Sequence, residues 1–305
     1  MRAAEDVLLS TPELRFGRFH CDPGDARWER DNHIGDWPML AFPGTPVEIQ
    51  QQDRPAVVAT PLCVMLYDPQ QAYRRRLVDR RGDHCVFLGV SPTLLEPLLG
   101  RPRFGRSSAP LAPRDRLGHL LLVELLRHAS AAADETPEIV TEGLYALLDR
   151  VVCGALPEAA RSEAEAATAR RHRALARAIA RHLALRFAEH ESVAAITDAV
   201  GVSPAHGARI FRRSTGLSIH AYRTALRLHA ILDRLLDPAI DLSAAALDVG
   251  FSSHSHMTAA FREAFGAPPS AWRGRLRKPE KRALAELLDA RLETRAAEPR
   301  GPSGC

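Results

Sequence analysis

The feature that most constrains the fold of this chain is an internal repeat in its second half. Residues 200–223 read VGVSPAHGARIFRRSTGLSIHAYR, and residues 249–273 read VGFSSHSHMTAAFREAFGAPPSAWR. The two stretches align at an offset of 49 residues as far as Ser203 and Ser252, and at an offset of 50 after one inserted residue. The later matches are Phe211 with Phe261, Arg212 with Arg262, Gly216 with Gly266, Tyr222 with Trp272 and Arg223 with Arg273. We therefore expect the same local structure twice.

Each copy has the pattern of two helices joined by a tight turn. An alanine-rich helix is predicted over 193–200 in the first copy and over 243–249 in the second. A glycine follows each one, and glycine tolerates the positive φ that is common at helix C-termini. Ser203, with Pro204 directly after it, is typical of an N-cap and the first residue of a new helix. Helix, turn and helix form a helix-turn-helix motif, and two copies of it in a basic region predict DNA binding.

The segment between the copies, LSIHAYRTALRLHAILDRLL at 217–236, has a helical pattern and ends before Asp237 and Pro238. About 19 residues with a rise of about 1.5 Å each give a rod of about 28 Å. Such a rod could hold two recognition helices near one DNA turn apart, about 34 Å, so that both enter the major groove on one face of the duplex. The spacing predicts recognition helices near 204–214 and 254–264.

Charge is distributed unevenly along the chain, whose formal net charge is +4. Residues 1–160 hold 18 basic and 22 acidic side chains, whereas residues 161–278 hold 18 and 10. This asymmetry indicates that the second part of the chain binds a polyanion. The five cysteines are widely spaced, and the sequence shows neither a signal-peptide pattern nor an apolar run of membrane-spanning length. We expect a cytoplasmic protein with reduced thiols.

The first half of the chain has a different pattern. Short β-type runs separated by Pro and Gly occupy about 40–105, and amphipathic helices are predicted near 115–128 and 137–152. The apolar stripes of these two helices fit either packing within the chain or a dimer interface. The predicted fold class is an α+β N-terminal domain with a helical connector, followed by an all-α C-terminal domain of two helix-turn-helix subdomains joined by a long helix. The predicted boundaries are 1–110, 111–160 and 165–275, with a C-terminal helix and tail at 276–305.

The second copy resembles the DNA-binding domain of the AraC/XylS family of bacterial transcription regulators. The resemblance spans about residues 172–275, and its motif is Gly250-Phe251-Ser252, Ser255-His256-Met257, Phe261, Phe265-Gly266, Pro269 and Trp272-Arg273. It implies seven helices in two helix-turn-helix subdomains, and sequence-specific binding to double-stranded DNA that regulates transcription. We expect RNA polymerase as a further partner and a homodimer as the oligomeric state.

Two N-terminal stretches, FHCDPGDARWERDNHIGDWP and RRGDHCVFLGVSP, more loosely resemble the cupin-like sensing domains attached to many members of this family. By analogy, such a domain would bind a small effector, dimerise, or do both, and the sequence assigns no effector-binding residues. One alternative is a regulator whose N-terminal domain only dimerises. The other is a metal-dependent cupin-like enzyme with an accessory helical domain, which the absence of an H-x-H pair followed by a spaced Glu in the N-terminal part disfavours. We expect no catalytic residues, no metal site and no cofactor.

The predicted DNA-contacting residues lie at the start of the second helix of each motif and along it. They are Ser203, Ala205, His206, Arg209, Arg212 and Arg213 in the first copy, and Ser252, Ser253, His254, Ser255, Thr258 and Arg262 in the second. Among them, Arg212 and Arg262 are interpreted as phosphate contacts. The predicted core residues of the two motifs are Val200, Val249, Phe251, Phe261, Phe265 and Trp272.

Two residues depart from the family pattern. Gly207 stands where the family usually has Leu, which costs about 1 kcal/mol of helix propensity relative to Ala and removes a side chain that would pack beneath the helix. Ala259 stands where an Arg is common, and its counterpart in the first copy is Arg209. Arginine can bind guanine bidentately or neutralise a phosphate, and alanine can do neither. We therefore expect base recognition to depend mainly on the first recognition helix.

Other side chains suggest ligands or sensors but have simpler interpretations. His254 and His256 are two residues apart on a predicted helix, so they point to different faces, and a packing and hydrogen-bonding role at the helix start is favoured for His256. The pairs His20-Cys21 and His84-Cys85 could meet on adjacent strands as a metal or thiol sensor, although isolated cysteines are commonly just buried. The charge run Tyr73-Arg74-Arg75-Arg76 is typical of a solvated face, with recognition of an acidic effector or a partner as the alternative.

Overall fold

The computed structural model describes residues 4–99, 103–129, 136–154, 163–237 and 239–277. The strands lie in the first part of this range. In chain order they are β1 (Ala4–Ser10), β2 (Leu14–Cys21), β3 (Asn32–His33), β4 (Met39–Pro43), β5 (Val47–Gln51), β6 (Val57–Ala59), β7 (Cys63–Tyr67), β8 (Ala72–Leu77), β9 (Asp83–Val90) and β10 (Ser108–Pro110). They form two antiparallel sheets, with the orders β1-β2-β9-β4-β7-β10 and β3-β8-β5-β6.

The two sheets share an apolar core because alternate residues of their strands point inward. In β5, for example, Val47, Ile49 and Gln51 are buried, whereas Glu48 and Gln50 between them are not. The predicted β run at 56–67 forms two strands, because Thr60 to Leu62 make a turn between β6 and β7.

The charge run at 73–76 lies in strand β8, and the prediction that it is a solvated face is wrong for its middle residue. Arg74 and Arg76 are exposed and pair with carboxylates on the surface. Arg75 is only 3% exposed, and its Nη1 lies 3.1 Å from Oδ2 of the buried Asp83. Its guanidinium also lies 4.7 Å from the centre of the Phe19 ring. Exposed and buried arginines therefore alternate along the run, as they do in a strand with one buried face. Arg75 is the arginine on the buried face.

The helices follow or flank the strands. They are α1 (Pro92–Leu99), α2 (Pro113–Ala129), α3 (Thr136–Gly154), α4 (Glu163–Arg186), α5 (Val193–Asp198), α6 (Pro204–Thr215), α7 (Ile219–Arg234), α8 (Leu242–Asp248), α9 (His254–Phe265) and α10 (Pro269–Arg277). The fold class is confirmed, with a β-rich N-terminal region and a helical C-terminal region in which α4 to α10 give the expected seven helices. Residues 278–305 of the expected tail lie outside the described residues. No helix in the described part of the chain is long and apolar enough to cross a membrane.

Helix α2 is buried on two sides. Leu122, Val123 and Leu125 face the core shared by the larger sheet and α3. Leu117, Leu120 and Leu121 instead join the core formed by α7, α8, α9 and α10. The apolar stripe of α2 is therefore explained by packing within the chain, with one side on each half of the protein.

A buried arginine on α2 joins the same two halves. Arg116 is 2% exposed; its Nη1 donates to the Pro43 carbonyl oxygen at 2.9 Å and its Nη2 to Oδ1 of Asp233 on α7 at 3.1 Å. His119 is fully buried beside it, and burial, together with the charge of Arg116, holds the pKa of His119 well below its usual value. His119 is therefore neutral, so its Nε2 accepts from Arg116 and its Nδ1 donates to the Asp115 carbonyl oxygen.

The smaller sheet and the turn after β6 contact the two helices that flank the first helix-turn-helix motif. Arg177 on α4 donates to the Ala56 carbonyl oxygen at 2.9 Å, and Arg181 pairs with Glu48 of β5 at 2.6 Å. The hydroxyl of Tyr222 on α7 lies 3.3 Å from that of Thr60 in the β6–β7 turn. The N-terminal region thus contacts α4 and α7, which flank the first helix-turn-helix motif, and contacts the second motif through α2.

Candidate nucleic-acid interface

The two predicted motifs are present as α5-turn-α6 and α8-turn-α9. Gly201 and Gly250 lie in the turns with φ of +74° and +91°, in the region that favours glycine. Recognition helices were expected near 204–214 and 254–264, and the structure has them at α6 and α9. Helix α7 between the motifs has 16 residues, which corresponds to about 24 Å and is shorter than the expected rod.

The inserted residue of the second copy changes how its recognition helix begins. Ser203 is the N-cap of α6, and its side chain makes no capping hydrogen bond. In the second copy the N-cap is the inserted Ser253, whose Oγ accepts from the backbone N–H of His256 at 3.1 Å. Ser252 Oγ lies 3.0 Å from Nδ1 of His256, and the ring of His256 packs edge-on against Phe251. The prediction that His256 packs and hydrogen-bonds at the helix start is confirmed.

The predicted core residues lie beneath the recognition helices. Phe251, Phe261, Phe265, Val249 and Trp272 are all buried in one cluster. Val200 differs, because it is only partly buried at the edge of the corresponding first cluster. The outward faces of α6 and α9 are therefore left for the predicted contact residues.

The departure at Gly207 is compensated by a neighbouring residue. A Cβ at position 207 would lie 2.6 Å from Cγ2 of Thr197, which is fully buried on α5. At the equivalent positions of the second copy, Met257 is buried against Ala246 instead. In the first copy the larger residue of this contact, Thr197, lies on the first helix and Gly207 lies on the second. In the second copy the small Ala246 lies on the first helix and the larger Met257 lies on the second. Position 207 has no side chain that packs beneath the helix, and Thr197 of α5 occupies that space instead.

This contact predicts a strong coupling between positions 207 and 197. We expect Gly207→Ala alone to lower the free energy of unfolding by about 1–3 kcal/mol, because the new methyl overlaps Thr197. Thr197→Ser removes Cγ2 while keeping the hydroxyl that bonds the Val193 and Ala194 carbonyl oxygens. In the double variant the methyl added at position 207 no longer overlaps Cγ2 of Thr197, and the nearest remaining atom is Cγ2 of Val202 at 3.2 Å, so a large part of the loss should be recovered. Urea unfolding of the four proteins measures the coupling, and additive losses would contradict it.

The predicted contact residues lie on the outward surface of the two motifs. All twelve are exposed except Thr258, which is partly buried. Arg209, Arg212 and Arg213 of α6 make no ion pair with any described carboxylate, and Arg209 approaches only His206, at 3.3 Å. Helix α9 has Arg262 at the position of Arg212. These exposures belong to the intact chain, so contact with the N-terminal region leaves both recognition faces open.

Comparison with known proteins agrees with this geometry. The family model described as a helix-turn-helix domain matches residues 196–275, which include both motifs. This is an AraC-type DNA-binding domain. No curated protein is significantly similar to the chain. The domain supports a DNA-binding transcription regulator as the general function of the chain.

Several solved structures are also similar to the chain. A probable AraC family transcriptional regulator from Rhodopseudomonas palustris is 28% identical, covering 34% of this chain and 97% of its own, with a TM-score of 0.32. The DNA-binding domain of AdpA, solved in complex with a target DNA, is 25% identical, with 35% and 96% covered and a TM-score of 0.32. ToxT from Vibrio cholerae is 9% identical, with 87% and 99% covered and a TM-score of 0.33. The family match, rather than these similarities, carries the identification.

Two residues of the AraC-type domain have a structural role that the sequence reasoning missed. Arg223 donates to the Glu191 carbonyl oxygen at 2.6 Å, and Arg273 donates to the Ile240 carbonyl oxygen at 3.0 Å. Both acceptors precede the N-cap of the first helix of their own motif. The two arginines therefore make the same closing contact in both copies, and their match in the repeat was the available signal.

A second missed difference lies one turn after Ala259. Glu263 is exposed on α9 where the first copy has the exposed Arg213. Counting the exposed ionic side chains of each helix, α6 offers Arg209, Arg212 and Arg213, whereas α9 offers Arg262 and Glu263. The AraC-type domain therefore has one strongly basic recognition helix and one that is neutral.

In the two His-Cys pairs of the N-terminal region, the two histidines contact each other. His20 and His84 are cross-strand partners of β2 and β9, with their Nδ1 atoms 3.0 Å apart. Cys21 and Cys85 occupy the flanking positions and point to the other side of the sheet. Burial raises the pKa of both thiols, which disfavours the reactive thiolate. No group of three or more potential metal ligands occurs within the described residues.

Proposed function

We propose that this protein is a sequence-specific transcription regulator whose helices α6 and α9 bind successive major-groove segments of one DNA duplex. The observation that carries the proposal is the exposure of both recognition faces in the intact chain, together with three arginines of α6 that have no partner among the described carboxylates. Unpaired arginines on a recognition helix are suited to phosphates and to guanine edges. The proposal includes no catalytic step and places the protein in the cytoplasm, where bacterial DNA is found.

The proposal extends to the partners of the regulator. Binding to RNA polymerase would follow from a role in transcription, and a homodimer would bind two sites with higher avidity. The β-rich N-terminal region contacts the helices that flank the first motif and, through α2, the second motif, which favours a role for it in modulating DNA binding, through a small effector or through dimerisation. A thermal-shift screen distinguishes these two roles, because an effector that prefers the native state raises the apparent stability.

The experiment that tests DNA binding uses the full chain. A preferred site is selected from a random duplex library, and affinity is measured by fluorescence anisotropy over a range of salt concentrations. We expect a steep decrease of affinity with salt. Arg209→Ala should weaken binding to the selected site by about 1–3 kcal/mol and relax the preference at one base pair.

Arg74→Ala is the matched control for Arg209→Ala. Arg74 is also exposed, but it lies on strand β8, pairs with Asp31 and belongs to neither recognition helix. Its loss should leave both affinity and preference unchanged. If the wild-type chain selects no sequence, the proposed function is wrong; if Arg209→Ala behaves like Arg74→Ala, the role given to Arg209 is wrong.

A further inference from the structure

The outward surface of α9 has a concavity that bears on what this helix recognises. Its volume is about 290 Å³, and it is lined by His254, Ser255, Thr258, Ala259 and Arg262. Ala259 is exposed there, at the position where α6 has Arg209. An arginine at this position would fill such a space with a guanidinium, whereas alanine leaves it open and presents a methyl group.

The chemistry of the neighbouring threonine adds to the apolar character of this surface. Thr258 is partly exposed, but its Oγ1 is buried and has no hydrogen-bond partner within the described residues. The exposed part of its side chain therefore does not include the hydroxyl oxygen. A base edge in contact with this surface would meet carbon at both 258 and 259 rather than a donor or an acceptor.

The charges around the concavity also disfavour guanine as its partner. Arg262 is the basic side chain that lines it, at the position where α6 has the phosphate-contacting Arg212. Glu263, four residues after Ala259, lies on the same side of the helix and is exposed. A carboxylate repels the acceptor-rich O6 and N7 edge of guanine.

We propose that α9 recognises thymine, through contact of the C5-methyl group of the base with the methyl carbons of Ala259 and Thr258. In the major groove, this methyl group distinguishes thymine from the other three bases, and alanine and the threonine methyl are suitable apolar partners for it. The inference rests on the proposed DNA-binding function and makes it more specific. Arg209 of α6 then recognises guanine in one half of the site, and Ala259 recognises thymine in the other half.

The test removes only the methyl group from the DNA. In duplexes carrying the selected site, each thymine is replaced singly by deoxyuridine, which keeps every hydrogen-bonding group of thymine. One replacement in the half-site of α9 should weaken binding of the wild-type chain about fourfold, as expected for loss of one buried methyl. The half-site of α6 is identified independently, because Arg209→Ala relaxes the preference there.

The protein variant that complements this test is Ala259→Arg, which gives α9 the residue of α6. We expect it to select guanine in place of thymine and to lose the deoxyuridine effect. Ala244→Arg is the matched control, since Ala244 is exposed on α8 of the same motif and its substitution adds the same charge outside the recognition helix. It should raise affinity for all sequences alike and retain the thymine preference.

Two outcomes overturn the inference while leaving the proposed function intact. In the first, the wild-type chain selects a site, but no deoxyuridine replacement outside the α6 half-site changes affinity by as much as twofold. In the second, Ala259→Arg folds with the thermal stability of the wild type and selects the same sequence. If the wild-type chain selects no site at all, the proposed function is overturned and this inference with it.

Discussion

Replacing Arg116 by alanine is expected to lower the free energy of unfolding by about 2–3 kcal/mol, because the buried Pro43 carbonyl oxygen and the partly buried Asp233 would lose their donor. The guanidinium of Arg116 joins the Pro43 carbonyl oxygen in β4 to Asp233 in α7. The side chain of Asp233 is 30% exposed and can be partly rehydrated, but the buried Pro43 carbonyl oxygen would be left without its donor, and such an unsatisfied group costs about 1–3 kcal/mol. We expect Arg116→Met, which keeps much of the side-chain volume, to lose most of the same free energy.

Arg74→Ala is the matched control. Arg74 pairs with Asp31 at 2.6 Å, but the two side chains are 61% and 58% exposed. Exposed ion pairs contribute about 1 kcal/mol or less, so this variant should remain close to the wild type. Urea unfolding monitored by circular dichroism measures all three variants. Equal losses for Arg116→Ala and Arg74→Ala would show that Arg116 does not stabilise the contact between the two halves.

Gly250→Ala is expected to have a comparably large effect on the second motif. Gly250 has a φ of +91°, and an added Cβ would lie 2.2 Å from the Ala188 carbonyl oxygen. The backbone it would meet is held by Arg227, which donates to the Phe187 and Glu189 carbonyl oxygens at 2.7 and 2.9 Å. Burial, with Arg223 nearby, lowers the pKa of Arg227 to about 10, so Arg227 stays charged at neutral pH. We expect a loss of about 3 kcal/mol from strain and overlap together.

The equivalent glycine of the first motif provides the control. Gly201 has a φ of +74°, but nothing lies within 4 Å of an added Cβ. Gly201→Ala should therefore cost only the conformational penalty, about 1 kcal/mol. Thermal unfolding of both variants separates the cost of the positive φ, which both positions share, from the cost of the steric overlap at position 250. Similar losses at the two positions would contradict the close contact between the second motif and the segment that follows α4.

The repeat made the helical half of the protein predictable because its signals are local. Glycine turns, N-cap serines and buried phenylalanines recur within about 25 residues of one another, and each can be identified without knowledge of the remaining chain. An alignment that includes the first helices of the two motifs, α5 and α8, as well as the second helices, α6 and α9, would also have shown that Ala246 and Met257 replace Thr197 and Gly207. Position 207 alone shows only that a packing side chain is absent.

The β-rich half was harder to predict because its decisive contacts are non-local. A charge run such as that around Arg75 suggests a surface, and only the pairing of β8 with distant strands supplies the buried Asp83 that makes an interior arginine acceptable. Strands β1 and β2 were missed for the same reason. The apolar stripe of α2 fitted either packing within the chain or a dimer interface, and the sequence could not show that two sides of this helix pack against different halves. The predicted domain boundaries stay predictions.

The contacts of the N-terminal region with the helical half have a mechanical consequence. Helix α7 alone does not fix the separation of α6 and α9, because the smaller sheet and the β6–β7 turn contact α4 and α7 beside the first motif, and α2 packs against the second motif. The β-rich region therefore forms a second connection between the two motifs. A small rotation of α2 relative to the smaller sheet would change the distance between α6 and α9.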